Sequence, residues 1–316
     1  MAVGEVLSTG RAHMFLSFVR TILWVLAITL PLIWLLPAGR ASGHGWEMSI
    51  NAVTGGFMFG VGATLNGGCA FSTLWKLGDG QLRMLLTLGA FCLGALGYVF
   101  LLTTSVLSPH EPVQIPYDAP KPWSLALLAG LGVWIVWEAV RLWRTRRPGS
   151  GWKALVRSDF YRLSTAAALL GLSNGILYTF YGSWAYTSTL QRGIERLTGA
   201  GSGPSAVQWG LFAALLAGTG LSAWQRGSFR FDWRPSLSWA QNLVGGLLMG
   251  LGAAMAGGGN DVLVLHGIPA LSPHAVPAYA ALIAGIAVAL MIGRLVRGKY
   301  MKVDCSGDIC TARSGI

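Results

Sequence analysis

The stretch LNGGCAFSTLWKLGDG, residues 65 to 80, sets a thiol at Cys69 directly behind Gly67 and Gly68, with Ser72 and Thr73 just beyond. A cysteine serves as a nucleophile, as a metal ligand, or as a weak S–H donor with a polarisable sulfur. Nucleophilic catalysis needs a neighbouring general base, and none is evident beside Cys69. A second stretch, GGGND, leads from Gly257, Gly258 and Gly259 into Asn260 and Asp261, with His266 further on. An ionisable residue within an apolar segment is a candidate for function. The plainer readings are an exposed loop for Asp261 and a helix cap for Asn260. NGILYTFYGSWAYTSTL, residues 174 to 190, interleaves Tyr178, Tyr181, Trp184 and Tyr186 with glycines and hydroxyls. An aromatic interface belt is the simple reading, and a third loop reaching the site is the other. Trp75 is a candidate wall. Cys92, in GAFCLGALG, reads as helix packing. Cys305 and Cys310 form a C-x4-C pair in the polar tail, read as disordered or as a sulfur handoff.

The elements that must position these residues are membrane helices. The 316 residues are 53% hydrophobic and only 11% charged, and mean hydropathy is +0.55. That is too apolar for a soluble domain of this size. Eight apolar segments stand out, at 15–37, 49–66, 82–107, 122–143, 160–182, 204–225, 237–256 and 273–297. Each is about 20 residues long, enough to span a hydrocarbon core of about 30 Å. No cleavable signal peptide is evident, since the first run is long and lacks a small-residue cleavage site. Four cysteines are too few for a disulfide scaffold.

Charge placement explains the formal net charge of +11. With the N-terminus inside, only Arg40, Lys121, Arg192 and Arg196 fall outside; the other 19 of 23 Lys and Arg fall inside. This bias puts both termini in the cytoplasm and leaves no need for a nucleic-acid partner. The division expected is an N-terminal cytoplasmic segment 1–14, a first membrane half 15–143, a basic cytoplasmic linker 144–159, a second membrane half 160–298 and a cytoplasmic tail 299–316.

The two chemical stretches are echoes of one another. Residues 53–69 read VTGGFMFGVGATLNGGC, and residues 243–259 read LVGGLLMGLGAAMAGGG. At an ungapped offset of 190, seven of 17 positions are identical, six of them Gly. Fixed spacing of this kind marks an internal repeat. Five segment steps separate the copies, so they cross the bilayer in opposite senses. Inverted repeats with Gly-broken helices are a transporter feature, with substrate near the midplane where the breaks meet. The GxxxGxG spacing lets a neighbouring helix approach closely. The glycine doublets let the chain turn, and a turn in lipid is tolerated only where it is buried or lines a polar cavity. Bare amides at a helix start favour an anion.

These features, the GG-hydrophobic-GxG helix, the GGC break and the inverted copy GGLLMGLGA, resemble the YeeE/YedE family of sulfur-compound transporters over residues 50 to 297. The resemblance implies an all-helical membrane protein with Gly-rich loops turning in from both faces toward a central constriction. It implies uptake of a thiosulfate-like anion, some members being associated with selenium metabolism, and a small cytoplasmic TusA-like sulfur-carrier protein as partner. It places loop-tip thiols that pass the anion by S–H hydrogen bonding at Cys69 and at the position of Gly259. Here the chain departs, since that second residue is glycine, followed by Asn260 and Asp261.

The expectation is therefore an all-α polytopic membrane protein with about 8–9 transmembrane helices, inverted repeats and re-entrant loops meeting near the centre. It is placed in the bacterial inner (plasma) membrane. It moves a small sulfur-containing anion, with Gly67, Gly68, Cys69, Ser72, Gly258, Gly259, Asn260 and Asp261 as the substrate-binding set. No cofactor, metal or catalytic residue is expected. A membrane sulfurtransferase or sulfur-relay subunit using a cysteine persulfide is the alternative, and a non-transporting anchor subunit is a third reading. No GxxxxGK[ST] loop is present, so this chain alone is not expected to use ATP.

Overall fold

Runs of apolar residues about 20 long must satisfy their own backbone in lipid, and the helix does this within one segment. The computed structural model describes residues 2–36, 44–117, 119–144, 162–232, 238–297, 301–306 and 309–314. It is 75% helical, and its strands are short, which makes the fold all-α. In chain order the helices are α1 (Ala2–Thr9), α2 (His13–Leu35), α3 (Ile50–Leu65), α4 (Ala70–Gly78), α5 (Arg83–Thr103), α6 (Pro122–Arg144), α7 (Leu163–Tyr181), α8 (Tyr186–Leu197), α9 (Ala206–Gln225), α10 (Ser238–Met255), α11 (Asn260–Val262) and α12 (Ala275–Arg297). Strands β1 (His44–Trp46) and β2 (Pro112–Gln114) pair antiparallel.

Six helices among the described residues are long and apolar enough to cross a membrane. The bent pair Trp239–Met255 and Asn260–Gly267, turned by 43°, raises the number to seven if taken as one span. The count falls below the expected eight to nine for a physical reason. The glycine breaks stop α3 at Leu65 and α10 at Met255, and Leu163–Leu197 forms one long stretch from α7 and α8.

The inverted repeat is the centre of the architecture. Helices α3 and α10 run antiparallel in direct contact. A side chain at Gly252 would start 2.6 Å from the Gly55 carbonyl, and one at Gly62 would start 2.7 Å from that of Gly245. Outside this pair the same pattern continues. Gly56 and Gly60 of α3 lie against Ala278 and Leu282 of α12, while Gly246 and Gly250 of α10 lie against Thr87 and Phe91 of α5. Four helices thus stack in the order α12, α3, α10, α5, with glycine at each contact. Lipid supplies no hydrophobic drive between helices, so close backbone approach is what holds such a layer together.

Around this layer α2 packs on α7, where Gly171 and Gly175 admit Trp24 and Ile28. The N-terminal segment is helical, and the buried Glu5 carboxylate accepts from the His13 and Met14 amides that open α2. The expected basic linker falls almost wholly on residues 145–161, outside the described residues. The tail is not an unstructured strand of polar residues. β3 (Met301–Ser306) and β4 (Ile309–Ser314) pair antiparallel, with Cys305 opposite Cys310 in register.

Candidate functional site

The two breaks have the same backbone, residue for residue. Gly67 and Gly257 take φ of +71° and +70°, and Gly68 and Gly258 follow at 159° and 151°. Cys69 and Gly259 then open the next helices at (−74°, −177°) and (−76°, −174°). The left-handed step at Gly67 and Gly257 is open to glycine and strained for any other common residue. Sequence offset and backbone geometry therefore agree that Gly259 is the counterpart of Cys69.

A buried amide locks the first break. Asn66, at the C-cap of α3, donates through Nδ2 to the Gly68 carbonyl at 3.0 Å and to Thr73 Oγ1 at 2.9 Å. Its Oδ1 accepts from Thr87 at 2.8 Å and from Asn242 Nδ2 at 2.6 Å. One side chain so ties α3, the turn, α4, α5 and α10 together. Ser72 turns back onto the Cys69 carbonyl at 2.7 Å, and Lys76 Nζ donates to the Gly67 carbonyl at 2.8 Å. The Cys69 thiol is partly exposed, and its side chain makes no cap to the first turn of α4.

The second break buries its polar residues. Asn260, Asp261 and His266 are 7%, 1% and 3% exposed, so Asp261 is not in an exposed loop. Leu263 N closes on the Gly259 carbonyl at 2.9 Å, and Leu263–Gly267 then widens into a π-helical turn. Such a turn is frequent at functional sites. His266 Nε2 donates to the Trp184 carbonyl at 2.8 Å, and its ring stacks on Tyr178. A cavity of about 20 Å³, enough for a water, lies beside this break between Trp46, Ser183, His266 and His274.

The breaks meet. Asn260 Nδ2 stands 3.9 Å from Cys69 Sγ, a long and weak N–H to sulfur contact. Helix α8 touches both sides. Tyr186 donates to the Ala70 carbonyl at 2.7 Å, and Thr187 donates to Asp261 Oδ2 at 2.7 Å. The eight expected residues therefore lie on the two turns or in the first turn of the helix that follows each, with Cys69 and Asn260 at their junction.

Two expectations change. The aromatic-belt reading gives way at Tyr178 and Tyr186, which are buried where the end of α7 and the start of α8 meet the breaks, while Tyr181 stays 50% exposed. Trp75 does not wall the site; it is 45% exposed under the Arg226 guanidinium. Cys92 lies beside Leu190, Gly193 and Trp209, away from the turns. Asn66, Thr87, Asn242 and Thr187 went unnoticed. Asn66 had a signal, as the residue opening N-G-G, whereas Thr87, Asn242 and Thr187 are ordinary polar residues in apolar helices until the fold gathers them.

Paired, inverted, glycine-broken helices that meet on a thiol define a membrane transporter of the inverted-repeat kind. The chain matches the sulphur transport family over residues 2–288 and belongs to that family. It is also similar to the thiosulfate transporter TsuA of Spirochaeta thermophila, with 26% identity over 252 residues, 71% of each chain.

Proposed function

We propose that the chain conducts a small sulfur-containing anion of the thiosulfate type inward across the bacterial inner membrane, past Cys69 where the two breaks meet. The observation that carries this reading is the junction itself: a partly exposed thiol on one turn, faced by the Asn260 amide of its inverted counterpart. The name of the Spirochaeta relative supports the substrate class. The chemistry fits. An S–H group is a weak donor and a polarisable neighbour, so it holds a soft anion loosely, and loose holding is what conduction requires. The amides opening α4 add partial positive charge, and the Lys76 ammonium on the Gly67 carbonyl adds a full one nearby. The Lys and Arg bias supports cytoplasmic termini. The partner reading, a TusA-like sulfur carrier at the cytoplasmic side, rests on the family resemblance alone.

The test is uptake of radiolabelled thiosulfate into proteoliposomes by the wild type and by Cys69→Ala. Uptake that collapses in the folded variant supports the path. Equal uptake in both removes Cys69 from it. A persulfide trapped on Cys69 during turnover would instead establish the sulfurtransferase reading.

A further inference from the structure

Pseudo-symmetry leaves one donor missing. Cys69 supplies a thiol at the first turn, and its counterpart Gly259 has no side chain. Yet the space is not open. A Cβ built on Gly259 would lie 2.7 Å from Asp261 Oδ1 and 3.1 Å from the Phe59 ring. The Asp261 carboxyl has folded back over the position that a side chain at Gly259 would fill.

That carboxyl is in an unusual state. It is 1% exposed. Thr187 donates to Oδ2, while buried Oδ1 meets no donor in good hydrogen-bonding geometry among the described residues, the nearest being the backbone amides of Asp261 itself and Val262. No Lys, Arg or His among the described residues forms an ion pair with it. Charge at such a place is expensive without a partner, and a carboxyl there is most cheaply kept neutral. A neutral carboxyl has an O–H, which is a stronger donor than S–H. An ionised one would repel an arriving anion.

Building on the transport reading, we propose that Asp261 is the second hydrogen-bond donor on the anion's path, standing where Gly259 lacks a thiol, and that it admits the anion only while it holds its proton. The proton stays on the carboxyl and no bond is made or broken; Oδ1–H points at the anion while Thr187 holds Oδ2. The titratable groups around it are Tyr186 of α8, Cys69 of the first turn with Tyr279 of α12 and Lys76 of α4 near that thiol, and His266 on its own segment. Lys76, the cation among them, is engaged on the Gly67 carbonyl, and uptake falls as pH rises and the carboxyl ionises.

The experiment compares wild type, Asp261→Ala, Asp261→Asn and the double variant Gly259→Cys with Asp261→Ala, each shown folded by size exclusion and melting. In proteoliposomes, losing the donor in Asp261→Ala reduces thiosulfate uptake about tenfold or more, the usual size of one hydrogen bond to a charged group. Asp261→Asn keeps an N–H donor, retains uptake and loses the pH dependence. The double variant restores a thiol in the vacated space and recovers uptake relative to Asp261→Ala. Infrared difference spectra between wild type and Asp261→Asn show a protonated-carboxyl C=O band at acidic pH that fades over the same pH range in which uptake falls, a readout independent of transport. Absence of that band overturns the inference whatever the uptake. So does wild-type uptake by Asp261→Ala while Cys69→Ala is dead, or a double variant no better than Asp261→Ala. If wild type and Cys69→Ala transport alike, the thiol path itself has failed.

Discussion

Replacing Asn66 tests whether one buried amide holds the thiol in place. Asn66→Leu removes four hydrogen bonds, to Gly68, Thr73, Thr87 and Asn242, in a site where Asn66 and Asn242 are 4% and 3% exposed. Cross-helix hydrogen bonds in membrane proteins average about 0.6 kcal/mol, so four amount to about 2 kcal/mol. Buried groups orphaned from water lose more, about 1 kcal/mol or above apiece, so the loss lies between about 2 and 4 kcal/mol. For a chain of this size that lowers the melting temperature by about 3–6 °C. The assay is thermal unfolding of the purified protein in detergent, with uptake measured on the same samples. Thr87→Val serves as the graded control, since it removes one bond of the four. Because Asn66 fixes both Gly68 and Thr73 around Cys69, uptake falls further than the stability loss alone would cause. An Asn66→Leu protein that melts and transports like wild type would refute the reasoning, and so would a Thr87→Val variant as damaged as Asn66→Leu.

Three further outcomes follow from the same geometry. Gly67→Ala carries only the left-handed strain of about 1–2 kcal/mol, since nothing lies closer than 3.6 Å, whereas Gly257→Ala also meets Trp46 at 2.8 Å; melting should rank Gly257→Ala as the worse. Tyr186→Phe strips the hydroxyl from the Ala70 carbonyl and costs about 1 kcal/mol in the same melts, with lower uptake through a displaced α4. Burial, and then the neighbouring His110, hold the His274 imidazole down at about 4. Between there and its ordinary value of about 6.5 the unfolded chain takes a proton that the folded chain refuses. Stability is therefore full above that range, declines as pH falls through it, and levels off below it. Melts from neutral pH downward check this, and His274→Gln should flatten the decline.

The membrane class and the repeat were legible in the sequence because each rests on local chemistry. Apolar runs of spanning length leave the helix as the way to satisfy backbone in lipid. A turn through φ near +70° selects glycine, so Gly67 and Gly257 mark both breaks without any knowledge of neighbours. Cys69, Ser72, Asn260 and Asp261 were found by adjacency to those turns. Sequence spacing also gave the offset that makes Gly259 the counterpart of Cys69.

What spacing could not supply was which polar groups converge from distant helices. Asn66 and Asn242 are 176 residues apart, and Thr187 and Asp261 are 74 apart; Asn242 and Thr187 look like ordinary polar residues on their own helices. Tyr178 and Tyr186 have the composition of an interface belt, and only the packing of α7 and α8 on the turns buries them. The position of the Asp261 carboxyl over Gly259 is likewise a matter of side-chain direction. The sequence by itself determined the helices, the two breaks and the thiol, because backbone conformation and lipid burial act on neighbours along the chain. The tertiary structure alone decided what surrounds that thiol, because hydrogen bonds and close glycine contacts form between groups that only folding brings within a few ångströms.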